Sequence, residues 1–166
     1  MDAQHYPVYY QSYIEKVPEG NLVDLLDFSL SESLKTLVMI PESKGDHRYE
    51  EGKWSIKDIL QHLIDTERIF CFRALAFSRG EQNEIAGYDH DLYVQNANAD
   101  QRSMKSLLEE LRRLRASTID LFKSLNDEQL KLKGKANGQV LSVEQIGHVI
   151  IGHEMHHVAI IEERYN

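Results

Sequence analysis

A single cysteine in 166 residues excludes an intramolecular disulfide and leaves no mark of an oxidising compartment. That residue, Cys71, reads as a small buried side chain of a helix. Only three prolines interrupt the chain, so long continuous helices are open to it. No stretch approaches the roughly 18 apolar residues that a membrane span requires. The opening MDAQHYPVYYQSYIEK is polar and carries an acid early, unlike a secretory signal, so a cytoplasmic location is expected. Positive charge is scarce as well: 19 Lys and Arg face 27 Asp and Glu, for a formal charge of −8. Nucleic acid is excluded as a partner on that balance, because phosphate contacts need clustered cations. The one basic cluster, Arg112 and Arg113 with Arg115, is interleaved with leucines behind Glu109 and Glu110, and reads as the solvated face of a helix.

What is present is helical periodicity. The 42% hydrophobic and 28% charged residues are the balance of a folded chain, and the length suits a single domain spanning residues 1–166. Four segments repeat their apolar residues at helical spacing, while strand signals are nearly absent. The first runs from about Asn21 to Ile40, with Asn21 as N-cap and Pro41 as stop. The second runs from Ser55 to Arg79, opening S-I-K-D as a capping box and ending at Gly80. The third covers about Ser103 to Leu125. The fourth runs from Ser142 to Arg164 and opens on a second capping box, S-V-E-Q. The link from Gly80 to Arg102 is the longest. A 25-residue helix is about 37 Å long, and about 12 extended residues cover that distance. The link can therefore run back along a bundle and leave the second and third helices parallel, one of the crossover variants of the four-helix bundle.

Eight histidines are present, and four of them crowd into IGHVIIGHEMHHVAII. His153 and His157 are four residues apart, so their side chains share one helix face, about 5–6 Å apart at Cβ. That spacing lets two imidazoles reach one ion. Ile146, Ile150 and Ile160 or Ile161 lie on the same stripe, which turns the pair toward the core. His148 lies about 180° around the helix from His157 and His156 about 100°, so they read as packing and flanking residues. His62, inside I-L-Q-H-L-I, is the one imidazole another helix offers. It lies about 10 Å from the start of its helix, and His157 about 12 Å from the end of its own. In antiparallel helices the two come level. Asp65, one turn from His62, and Glu154 are candidate acceptors that could orient the ligands. Spacing alone leaves two readings open, a three-histidine metal site or core histidines held by hydrogen bonds. A di-iron bundle is disfavoured, since Glu67 and Glu154 do not complete the carboxylate set it needs.

Two stretches carry a family resemblance. W-S-I-K-D-I-L-Q-H-L-I-D-T-E, Trp54 to Glu67, resembles the second helix of the DinB/YfiT-like superfamily, and G-H-V-I-I-G-H-E-M-H-H-V-A-I-I, Gly147 to Ile161, resembles its fourth. The likeness covers nearly the whole chain. It implies an all-α, up-down-down-up four-helix bundle with a long crossover between helices 2 and 3, holding nickel or zinc through His62, His153 and His157. It also implies a homodimer. G-Y-D-H-D-L-Y, Gly87 to Tyr93, resembles the family's crossover motif passing over the metal, which makes Tyr88, Asp89, His90 and Tyr93 candidate substrate-binding residues. Within the family some members resemble thiol S-transferases that use a low-molecular-weight thiol, and others mycothiol-dependent isomerases or metal-dependent hydrolases. The expected function is thus a metal-dependent enzyme activating water or a thiol for attack on a small electrophile. Glu154, His156 and Asp65 are its candidate proton-transfer residues. The alternative is a non-enzymatic metal-binding stress-response bundle.

Overall fold

The computed structural model describes residues 2–165. Short helix α1 (Val8–Ile14) precedes the first bundle helix, α2 (Leu22–Leu37). The second bundle helix is α3 (Ile56–Ser78), and the crossover that follows contains a short helix, α4 (His90–Asn96). The third bundle helix is α5 (Met104–Lys123), followed by α6 (Asp127–Lys131), a hairpin of β1 (Lys133–Ala136) with β2 (Gln139–Ser142), and the last bundle helix, α7 (Val143–Arg164). Among the described residues no helix is long and apolar enough to cross a membrane.

Each bundle helix starts where its side chains can satisfy the free amides of a first turn. Asn21 accepts from Val23 and Asp24, and Ser103 from Ser106. Ser55 with Asp58, and Ser142 with Gln145, close reciprocal capping boxes. The four expected helices are therefore present, with ends within a few residues of those read from the sequence.

Cross-helix contacts give the directions. Gln61 with Arg102 at 2.7 Å and Arg68 with Glu110 at 2.5 Å advance together, so α3 and α5 are parallel. Ser33 with Glu154 and Thr36 with Glu162, both at 2.5 Å, make α2 and α7 parallel. His62 facing His153, with the Tyr165 hydroxyl donating to the Trp54 carbonyl, makes α3 and α7 antiparallel. The order is up-down-down-up, and α2 and α3 sit diagonally because the pairs in contact are α2–α7, α7–α3, α3–α5 and α5–α2.

Two apolar clusters fill the bundle. Leu22, Leu26, Phe70, Phe77, Phe122, Ile146 and Ile150 belong to one. Leu30, Leu37, Ile59, Leu63, Leu107, Leu111 and Ile161 belong to the other. Between them lies a buried polar layer containing Ser29, Ser33, His62, Glu67, Arg115, Thr118, His153 and Glu154. Arg115 corrects the reading of its cluster as a solvated face: it is 1% exposed. Its Nε and Nη2 donate to the two oxygens of Glu67 at 2.9 Å each, Nη2 also meets Glu154, and Nη1 donates to the Leu26 carbonyl at 2.8 Å. The flanking leucines that made it look like a surface stripe instead carry it inward.

The hairpin, α1 and the short helices α4 and α6 are additions to the expected plan. Asn137 and Gly138 both have positive φ, 49° and 73°, the turn that an Asn-Gly pair forms between antiparallel strands. Its strands are only four residues long and half-exposed, too short for a period-two signal. Gly134 admits the Phe77 ring, which lies 2.0 Å from where a Cβ would stand. On the other side α1 lies against α7. A Cβ on Gly152 would stand 2.4 Å from the Tyr13 carbonyl oxygen, so only glycine allows this approach.

Candidate metal centre

Helix periodicity and the antiparallel run of α3 against α7 bring His62, His153 and His157 together. Each offers a ring nitrogen within 4.8 Å of the other two. The Nε2 atoms of His62 and His153 are 3.0 Å apart. A tetrahedral ion with nitrogens at about 2.0–2.1 Å spaces them by about 3.3 Å, close to the His62–His153 separation, and the His157 nitrogen lies within 4.8 Å of both. His62 and His153 are buried, at 6% and 7% exposure.

The electrostatics prepare lone pairs rather than charges. Burial pushes the His62 imidazole down to about 4, with His90 adding to the effect, and His157 down to about 3, with His62 adding. Burial also holds His153 well below its ordinary value, with His157 and His62 contributing. All three are neutral at pH 7, the form that ligates. The Thr66 hydroxyl lies 3.4 Å from His62 Nδ1 and 2.7 Å from the Tyr88 hydroxyl. A proton on Nδ1 directed at Thr66 leaves Nε2 free for an ion. Trp54 stacks on His157 with ring centroids 6.2 Å apart and lies 4.7 Å from the His62 ring.

The imidazoles end in the wall of a cavity of about 440 Å³. Its α3 wall is the stripe His62, Thr66, Phe70 and Arg73; α1 contributes Tyr9, Tyr10 and Tyr13, and the hairpin contributes Asn137. Burial raises the Tyr13 phenol to about 12 and also raises Tyr10 and Tyr88, so these hydroxyls keep their protons.

Of the crossover candidates, Tyr88, Asp89 and His90 line the cavity. Tyr93 does not; its ring packs on Tyr88 at 5.0 Å, because the segment taken for a loop is helical from His90 onward and turns that side chain aside. Asp89 caps this helix, accepting from Asp91 and Leu92 at 3.0 and 3.1 Å. The other three candidates lie off the wall. Asp65 accepts from Gln61 at 2.9 Å, and Thr66 rather than Asp65 reaches His62. Glu154 points away from its neighbour His153 into the polar layer, where Ser33 and Arg115 hold it. His156 is half-buried, its ring 5.1 Å from Tyr13 and 5.2 Å from His157. His148 packs as expected, with Nδ1 2.9 Å from the Tyr6 hydroxyl.

Thr66, Phe70 and Arg73 follow His62 at helical spacing, the signal in the sequence that places them on the same wall. The tyrosines of α1 had no signal at all, since nothing in YPVYYQSY states which surface it covers.

Fold and site together define a four-helix bundle with an open three-histidine pocket. The model of the DinB superfamily matches residues 25–161, and the chain belongs to that family. YfiT from Bacillus subtilis (strain 168) is 20% identical over 152 residues, covering 90% of this chain and 85% of YfiT. The YfiT structure, described as a probable metal-dependent hydrolase with an unusual four-helix bundle topology, superposes with a TM-score of 0.76 at 19% identity, over 86% of this chain and 82% of that one. A mycothiol-dependent maleylpyruvate isomerase shares the fold with a TM-score of 0.71 at 13% identity, over 88% of this chain and 61% of that longer one.

Proposed function

We propose that this protein is a metal-dependent enzyme that activates a low-molecular-weight thiol or water for attack on a small electrophile. One observation carries the reading: three neutral imidazoles converge on one point in the wall of a cavity large enough for a small molecule. Three protein ligands leave a coordination position open, as in catalytic rather than structural sites. His62, His153 and His157 would hold one nickel or zinc ion. Such an ion lowers the pKa of a bound water or thiol and polarises an electrophile.

The chain's own residues supply the rest. Thr66 fixes the ring of His62 through Nδ1. Trp54 and the α1 tyrosines line the cavity beside the imidazoles. His90, whose ring lies 6.1 Å from that of His62, is placed to accept the nucleophile's proton on a ring nitrogen. The relatives support both nucleophiles, since YfiT is described by hydrolysis and the isomerase by its thiol. We favour the thiol, and a homodimer as the family implies.

The test offers model electrophiles to nickel- and zinc-loaded protein with and without a panel of thiols. Turnover that requires a thiol is expected. Turnover indifferent to thiol would replace transfer by hydrolysis. No turnover with any electrophile, together with a large loss of thermal stability on chelation, would favour an ion that only holds the bundle together. Sedimentation velocity checks the dimer, and a single species near the 19.2 kDa chain mass would remove it.

A further inference from the structure

We infer that Arg73 is the anchor for a carboxylate on the molecule that enters the cavity, so that the substrate, or the thiol that reacts with it, is an organic acid. The inference rests on reading this cavity as the reaction chamber.

The two buried arginines of this protein make the case by contrast. Arg115, at 1% exposure, is neutralised by Glu67 and Glu154 and donates further to Leu26 and Ser29. Arg73 is as well covered, at 4%, yet it has no carboxylate within ion-pairing distance among the described residues. Its Nε is the one buried side-chain nitrogen or oxygen among them without a hydrogen-bond partner. Its contacts are all with uncharged groups: the guanidinium hydrogen-bonds the Tyr10 phenol, Nη2 reaches the Ala86 carbonyl at 3.5 Å, and the Phe70 ring centre lies 5.5 Å away. A buried, unneutralised guanidinium is costly unless something else completes it. This one stands in the wall of the cavity.

Its place on α3 points the same way. Arg73 is eleven residues after His62, close to three full turns, so both share one face about 16 Å apart along the axis. Helical side chains lean toward the N-terminus, which brings the guanidinium back toward the imidazoles. One ligand can therefore present its reacting atom to the histidines and its acid to Arg73. The planar fork of arginine matches a carboxylate with two parallel hydrogen bonds. A phosphate dianion fits less well, because Arg73 is the one arginine or lysine among the lining residues and Asp89 stands in the same wall. The phenols of Tyr10 and Tyr88, held protonated chiefly by burial with the charge of Arg73 acting the other way, line the same wall.

The test compares 4-phenylbutyrate with its neutral analogue 4-phenylbutyramide by calorimetry on chelator-treated protein. The parent is expected to prefer the acid by at least about tenfold, Arg73→Gln to lose the preference, and Arg73→Lys to keep part of it. Circular dichroism verifies that both variants fold. Equal affinities, no binding of either compound, or a preference that survives Arg73→Gln would overturn the assignment. A second comparison, 6-mercaptohexanoate with 6-hydroxyhexanoate on nickel-loaded protein, locates the acid. Metal-dependent tightening of the mercapto acid alone places it on the thiol, and no tightening places it on the electrophile. Because the first comparison is made without metal, its outcome is independent of whether the three histidines bind an ion.

Discussion

Two kinds of buried ionisable residue govern this bundle, and they respond differently to change. Arg115 holds two carboxylates that have no water to turn to. Arg115→Met leaves Glu67 and Glu154 buried beside each other, and removing one partner of such a network costs about 3–5 kcal/mol. Thermal melting should show a drop on the order of 10 °C, and replacing all three residues by apolar ones should recover much of it. His148 behaves in the opposite sense, since burial holds its imidazole down at about 4 against an ordinary 6.5. The folded state then binds fewer protons than the unfolded one between those values. Stability is complete above pH 6.5 and falls as pH drops toward 4, by up to about 3 kcal/mol from this residue. Denaturant titrations at pH 7 and pH 4.5 should show that loss, and His148→Asn should lessen the slope by about one proton. An unchanged slope would mean that His148 is already charged in the folded protein.

Among the elements that shape the site without contributing a ligand, α1 supplies three tyrosines to the cavity wall. Its approach to α7 passes through Gly152, and Tyr13 then meets the rings of His153 and His156 at 5.5 and 5.1 Å. Gly152→Ala should therefore force α1 away, costing about 1–3 kcal/mol as overpacking does. It should also weaken ligand binding more than metal binding, which calorimetry with each can separate. The same element marks the limit of what the residues declare by themselves. Capping boxes at Ser55 and Ser142 are local chemistry, so α3 and α7 were legible to within a residue or two. The pairing of His153 with His157, and the depth match to His62, follow from helical rise alone. The docking of α1 is a long-range fact, fixed by the absence of a Cβ at Gly152 and by a Tyr6–His148 bond across 142 positions. Arg115 was misread for a similar reason: periodicity reports which face is apolar, and a buried ion pair sits on that face disguised as surface charge. The hairpin's Asn137-Gly138 turn was readable, but strands this short lend it no support.

At the scale of the whole molecule, the polar layer between two apolar clusters is where the bundle spends stability on function. His62 and His153 share that layer with the Arg115 network, and His157 stands at its edge, so an ion bound there ties α3 to α7. Binding to the folded state alone stabilises it by roughly 4 kcal/mol at a thousandfold excess over Kd. Chelation should consequently lower the melting temperature of the parent by on the order of 10 °C and leave a His153→Ala, His157→Ala variant unmoved. Elemental analysis of those same two proteins after dialysis without chelator tests the central claim most directly. The account predicts about one equivalent of nickel or zinc in the parent and almost none in the variant. A parent that holds no metal even after reconstitution would contradict it, and would leave a helical bundle whose histidines only pack.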